Sequence, residues 1–242
     1  MLRIKHLTKR FGGLTAIDDL SVSIAEGEIF AYIGPNGSGK TTTIKVIAGL
    51  YLPTSGAVEI DGIDLGTQPE KAKANIGYVS DEPFIYEKMS GREFLGFVGA
   101  LYSMERADAE RQRDAYLENF PGLKEVIDGY VEDYSRGNRQ KLAFVAALMH
   151  RPKLLLIDEP MVGLDPQSSI AVKRMLKEFS SAGGAVLLCT HTMPIAQELA
   201  SRIGVLDNGK LIAEGTLEEL RAKTQKSGAS LEEVYLAFTA SI

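Results

Sequence analysis

The alternation of apolar and polar residues changes character several times along this 242-residue chain. Leu2–Leu7 and Val22–Ile24 alternate with a period of two, which predicts strands with one buried face. Ile29–Ile33 is a short unbroken apolar run that stops at a glycine-rich loop, the pattern of a buried strand feeding a helix. That helix is predicted over Thr41–Leu50, closed by Pro53. Ala57–Ile60 and Ile63–Leu65, joined by Asp61-Gly62, predict a hairpin. From about Glu82 to Tyr134 the texture becomes helical and charged, as in the stretch Met104–Phe120. Apolar strands then return at Leu154–Ile157, Ala185–Cys189 and Ile203–Leu206, with helical stretches at Gln167–Ser181 and Pro194–Ser201 between them. Asn208-Gly209 marks a second hairpin turn, and Leu231–Thr239 predicts a short C-terminal helix. Strands alternating with helices predict an α/β fold whose sheet is mostly parallel and covered on both faces.

Composition narrows the function classes. Lys plus Arg total 27 and Asp plus Glu total 32, a net charge of −5, so a basic footprint for nucleic acid is absent and no nucleic-acid partner is expected. The longest apolar run, counting glycine, is Phe94–Tyr102, far short of the roughly 20 residues that cross a membrane. The basic start of the chain leads into no apolar stretch of signal-peptide length. The single cysteine, Cys189, has no internal disulfide partner and fits a reducing compartment. The expectation is a soluble intracellular protein that works at a membrane only through a partner.

The candidate chemistry begins at Gly34-Pro35-Asn36-Gly37-Ser38-Gly39-Lys40-Thr41, which fits the phosphate-binding loop pattern between an apolar strand and a helix. Glycines let successive backbone N–H groups turn inward with no side chain in the way, and the helix that follows adds its unsatisfied N–H groups and positive dipole end. Lys40 then reaches the β- and γ-phosphates, the Thr41 hydroxyl ligates Mg²⁺, and Thr42 lies beside them. A second cluster follows the aliphatic run of residues 154–157, where Asp158-Glu159 ends a strand. Asp158 is placed to hold Mg²⁺ directly or through water; Glu159, next along an extended chain, points to the other side and orients or deprotonates an attacking water.

With these residues in place, the chain strongly resembles the nucleotide-binding subunit of an ATP-binding cassette (ABC) transporter, through short motifs in the family's order over nearly its whole length. Tyr134-Ser135-Arg136-Gly137-Asn138 is similar to the signature motif, Gly163-Leu164-Asp165 to the D-loop, and Thr190-His191 to the switch histidine. Phe11, before Gly12-Gly13, stands where the family has the aromatic that stacks on adenine, and Asp81 stands at the position of the Q-loop glutamine. The resemblance implies a P-loop ATPase of ABC type over residues 1–242. About 1–81 and 151–215 would form the core with an N-terminal antiparallel β subdomain. Residues 82–150 would form an inserted helical subdomain with the signature motif, and 216–242 a short helical tail. It implies ATP and Mg²⁺ as ligands, Glu159, His191 and Lys40 as catalytic residues, and Ser135 and Gly137 as contacts to ATP held on an opposing cassette. On the residues alone, Ser135 and Gly137 precede a helix beginning near Arg139 and offer it a serine cap.

Two positions depart from the family pattern. Arg136 replaces a signature glycine, and its guanidinium is expected to pair with a phosphate or with acids across the dimer. Asp81 brings a negative charge where a neutral amide is usual; two unit charges 4 Å apart at an effective dielectric of 20 interact by about 4 kcal/mol. Asp81 is therefore expected either to ligate Mg²⁺ or to swing away. The resemblance further implies a second cassette, identical or related, and an integral membrane permease whose coupling helix would meet Pro83-Phe84-Ile85-Tyr86. The chain would then lie peripherally on the cytoplasmic face of the cell membrane. The segment Leu231–Thr239 resembles the tail of exporter-type cassettes of the ABC-2 group. The alternative at this stage is a soluble ABC ATPase without a transport role, such as an iron–sulfur cluster assembly subunit.

Overall fold

In β1 (Leu2–Phe11) and β2 (Leu14–Ile24) alternate side chains go inward, burying Leu2, Ile4, Leu7, Ile17, Leu20, Val22 and Ile24. The two pair antiparallel, and the other edge of β1 takes β4 (Ser55–Ile60), which turns into β5 (Ile63–Asp64). The turn uses Asp61 at φ 52° and Gly62 at φ 76°, the left-handed pair that a two-residue hairpin requires. This four-stranded antiparallel sheet has the order β2-β1-β4-β5. Its first two strands run longer than their alternation predicts, because register shifts after Ile4 and Leu7 break the period of two while pairing continues to Phe11. The computed structural model describes residues 1–226 and 228–240; Ser227, Ser241 and Ile242 of the expected tail lie outside the described residues.

The second sheet contains β3 (Ile29–Ile33), β6 (Ile76–Val79), β7 (Leu154–Asp158), β8 (Ala185–Thr190), β9 (Arg202–Asp207) and β10 (Lys210–Gly215), in the order β10-β9-β3-β8-β7-β6. All its pairings are parallel except β9–β10, joined by the Asn208-Gly209 turn. Every residue of β3, β7 and β8 is buried, which is why these strands read as continuous apolar runs. The period of two survives inside the runs as a choice between two cores. Ile29, Ala31, Ile33, Leu155 and Ile157 pack with the inserted helices, whereas Phe30, Tyr32, Leu154 and Leu156 pack towards the antiparallel sheet.

Helix α1 (Lys40–Ile47) follows β3 and ends short of the predicted Leu50. Gly49, at φ 68°, turns the chain so that the N–H of Leu50 bonds the carbonyl of Lys45 and that of Gly49 bonds Val46, closing the last turn. Helix α2 (Pro69–Lys73) leads into β6. Between β6 and β7 are inserted α3 (Gly91–Leu101), α4 (Arg106–Leu117), α5 (Pro121–Val126), a 3-10 turn at Val131–Asp133 and α6 (Arg136–Met149). Ser90 and Glu93 form a reciprocal cap at the start of α3. Helix α6 begins at Arg136, earlier than the expected Arg139, because the Ser135 hydroxyl caps it by accepting the N–H of Asn138 at 3.2 Å. Helices α7 (Pro166–Ser181) and α8 (Met193–Leu199) join β7 to β8 and β8 to β9, and α9 (Leu217–Lys223) and α10 (Leu231–Thr239) complete the order. Among the described residues no helix is long and apolar enough to cross a membrane.

Candidate functional site

The loop from Gly34 to Gly39 leaves the end of buried β3 and enters α1, and its glycines are required by space as well as by dihedral angle. Gly37 and Gly39 sit at φ 84° and 105°. A Cβ on Gly34 would come within 2.3 Å of the Leu206 carbonyl, and one on Gly39 within 2.6 Å of the Ala16 carbonyl. Lys40 lies inside the curl, its ammonium donating to the carbonyls of Gly34 (2.7 Å) and Pro35 (3.0 Å). Burial pulls the Lys40 ammonium pKa down, opposed by the nearby Cys189, Glu159 and Asp158. The Ser38 hydroxyl is buried and has no hydrogen-bond partner among the described residues.

Asp158 closes β7 directly beneath this loop. It is buried, which pushes its carboxyl pKa up, and the Thr41 side chain hydrogen-bonds to it and acts the other way. Cys189 lies opposite Asp158 in the parallel register of β7 and β8, as a core residue whose thiol burial pushes upward.

Glu159 corrects one expectation. The chain is not extended there: Glu159 is left-handed at φ 51°, and its N–H donates to the Cys189 carbonyl at 2.9 Å. Side chains rarely adopt this conformation, which costs on the order of 1–3 kcal/mol. Three donors surround the carboxylate it presents. The Thr190 hydroxyl donates to Oε2 at 3.0 Å, and the His191 N–H reaches Oε1 at 2.9 Å. The His191 ring Nδ1 lies 2.7 Å from the same Oε1. Glu159 and His191 were singled out separately from sequence, and the register of β7 on β8 makes them one unit. Thr190 was read from sequence only as the neighbour of the switch histidine, and its bond to Glu159 was not; its only signal was a hydroxyl at the carboxyl end of a strand.

One cavity of about 590 Å³ is lined by Phe11, Asn36, Gly37, Gly39, Lys40, Thr41, Thr42, Asp81, Asp158, Glu159 and His191. Gly34, Pro35 and Ser38 belong to the same loop but do not line the cavity. Phe11 is half-exposed at the rim, edge-on to Tyr51 at 5.4 Å, with the Lys9 ammonium 4.7 Å from its ring centre. Ser135 and Gly137 do not line this cavity. They open α6 elsewhere on the surface, with Gly137 packed so closely on the Gly163 carbonyl that a Cβ would lie 2.6 Å from it. Asp81 does line the cavity, but its carboxylate accepts a hydrogen bond from Arg136 of the same chain at 3.0 Å. The pairing expected for Arg136 across a dimer is thus found within the subunit.

A buried carboxylate and a hydroxyl converge at Asp158 and Thr41, and among the described residues no cluster of three or more His, Cys, Asp or Glu could hold an ion unaided. That incomplete donor set, beside a loop with an unpartnered hydroxyl at Ser38, fits a Mg²⁺ that arrives sharing its coordination with phosphates.

A family model described as ABC transporter matches residues 17–162. The chain is 37% identical over 220 residues to the linearmycin resistance ATP-binding protein LnrL of Bacillus subtilis (strain 168), covering 91% of this chain and 70% of that protein. It is 36% identical over 216 residues to the daunorubicin resistance ATP-binding protein DrrA3 of Streptomyces coeruleorubidus, covering 89% and 68%. A solved structure of an ATP-binding subunit of an ABC transporter superposes with a TM-score of 0.94 at 33% identity, covering 99% of both chains.

Proposed function

The chain belongs to the ABC transporter family, as a subunit that binds and hydrolyses ATP, and from that premise we propose that it powers an exporter through the residues gathered around the cavity that Phe11, Lys40 and Glu159 line. The observation that carries the reading is the convergence of three units there: the glycine loop with Lys40, the Asp158–Thr41 pair and the Glu159–His191 pair.

In this mechanism the backbone N–H groups of the loop and the first turn of α1 bind the β- and γ-phosphates. Lys40 exchanges its two carbonyl partners for phosphate oxygens. Thr41 and Asp158 would hold Mg²⁺, which when bound neutralises charge on the phosphate oxygens. Phe11 stacks on the base. Glu159 orients the attacking water and takes its proton; the water oxygen bonds to the γ-phosphorus as the bond to the bridging oxygen breaks, leaving ADP and phosphate. Thr190 and His191 hold that carboxylate in place, and the family resemblance gives the His191 ring a contact to the γ-phosphate.

The separation of Ser135 and Gly137 from the chain's own cavity supports their acting on nucleotide held by a second cassette, identical or related. The exposed Phe84 supports a permease contact that keeps the subunit on the cytoplasmic face of a membrane, and two relatives named for drug resistance support export. Replacing Glu159 with Gln tests the chemistry: turnover is expected to fall by about 10²- to 10⁴-fold, with ATP binding retained and a dimer accumulating in gel filtration with ATP. Retained turnover would remove Glu159 from the mechanism. Mild detergent extraction from native membranes tests the exporter reading. A stoichiometric integral membrane companion supports it, and soluble companions alone overturn it.

A further inference from the structure

Three carboxylates, Asp81, Asp158 and Glu159, border the cavity that this reading fills with a polyanionic triphosphate. Asp158 is committed to Thr41, and Glu159 to Thr190 and His191. Asp81 has a different partner, the Arg136 guanidinium at 3.0 Å, supplied from 55 residues away in the sequence. The arginine is itself held. Its stem lies against the Gly163 turn, where a Cβ on Gly163 would be 3.2 Å from Arg136 Cγ and 3.3 Å from Cδ. Arg136 thus ties together the loop after β6, the start of α6 and the loop after β7.

We propose that Arg136 is a positioning residue for Asp81: the ion pair offsets the acid's charge and holds it off the triphosphate, so that the two departures from the usual motifs compensate each other within one subunit. The inference rests on the reading of this cavity as the ATP site. Both side chains are about half-exposed, so the pair adds little to fold stability and its effect lies in the potential that the nucleotide meets.

The test is a double-mutant cycle on the full chain, kept dilute enough to remain monomeric: wild type, Arg136→Gln, Asp81→Asn and the double variant. The readouts are the affinity for a fluorescent ATP analogue, with and without Mg²⁺, and the melting temperature. Arg136→Gln strands a carboxylate beside the phosphates and should weaken binding about tenfold, a loss that shrinks at high salt. Asp81→Asn in that background should restore affinity to within about twofold of Asp81→Asn alone, and Arg136→Lys should retain most of it. Should Arg136→Gln fail to fold, Asp81→Asn alone still decides. It leaves Arg136 unpaired beside the cavity, and Mg²⁺-free analogue should bind about fivefold tighter.

Losses that simply multiply would overturn the proposal, as would unchanged Mg²⁺-free affinity for Asp81→Asn. Coupling seen in melting temperature but not in affinity would reduce the pair to a structural contact and also overturn it. Failure of the wild type to bind the analogue would instead remove the reading of the cavity on which the inference stands.

Discussion

Two cavities of about 590 Å³ each lie side by side and share Thr41, Asp81 and Asp158 in their common wall. The first, the proposed nucleotide site, is walled by backbone, charge and hydroxyl, and its parts hang from the fully buried β3, β7 and β8. Beyond that wall the second is lined mainly by apolar and aromatic side chains, among them Leu50, Tyr78, Phe84, Ile85, Phe94 and Ala143, with Lys45, Ser80 and Glu82 between them around the loop after β6. Its most prominent side chain, Phe84, is 87% exposed and continues through Tyr86 to Phe97 in edge-to-face contacts at 5.9 and 5.6 Å. The first cavity gathers its charged and hydroxyl groups on rigid strands, whereas the second is mostly apolar and its aromatic rim faces water.

The difference is broken most severely from the rigid side. In Gly39→Ala the added Cβ meets the Ala16 carbonyl at 2.6 Å on a backbone at φ 105°. The strain costs on the order of 1–3 kcal/mol, and the displaced cradle should lower ATP affinity by about 100-fold or more. Titration with a fluorescent analogue and thermal melting measure the two effects; unaltered affinity would mean that the loop does not bind through its backbone.

From the other side, Phe84→Ala with Tyr86→Ala should abolish partner-stimulated turnover while the isolated chain hydrolyses ATP within about twofold of wild type, since exposed residues contribute little to stability. Comparing hydrolysis with and without the membrane companion reads this directly. A parallel loss of both activities would show that the aromatic set packs the inserted helices instead.

Thr190→Val is a smaller change within the nucleotide cavity. It removes one of three donors to the Glu159 carboxylate at nearly constant volume. A hydrogen bond to a charged group contributes about 1.5–3 kcal/mol, so kcat should fall about tenfold or somewhat more with KM unchanged. An equal rise in KM would place Thr190 in ground-state binding.

The same contrast governs what the sequence made legible. The loop Gly34–Thr41 was readable because its chemistry is local: spacing along the backbone sets which N–H groups converge. Asp158 followed from its position at the end of an aliphatic run. The contacts that complete the site join residues that only topology brings together. Thr190 reaches Glu159 because β8 lies beside β7, and Arg136 reaches Asp81 because α6 starts against the loop after β6. The left-handed turn at Glu159 was hidden because no glycine or asparagine marks it; the neighbouring strand's hydrogen bonds impose it. In the antiparallel sheet the hairpin at Asp61-Gly62 was plain, while the full lengths of β1 and β2 were masked by bulges that interrupt the alternation.

The smallest expected effect concerns the ion pair that ties α6 to the loop after β7. Helix α6 lines the second cavity with Ala143 and Ala146 and is tied to the loop after β7 by Lys141, whose ammonium lies 2.9 Å from the Asp165 carboxylate. Lys141, with the Ser168 hydroxyl and N–H, holds the Asp165 carboxyl well below the usual range. A carboxylate depressed in the folded state contributes stability that is fully present above its unfolded pKa, near 4, and lost as pH falls through the folded value. Asp165 is half-exposed, so solvent screening limits the ion pair to about 0.5–1 kcal/mol. Lys141→Met should therefore lower the melting temperature slightly at pH 7 and flatten its decline below about pH 4, while the Ser168 bonds retain part of the slope. A decline as steep as in wild type would assign the acid sensitivity to other carboxylates and leave the Lys141–Asp165 link without a measurable part in stability.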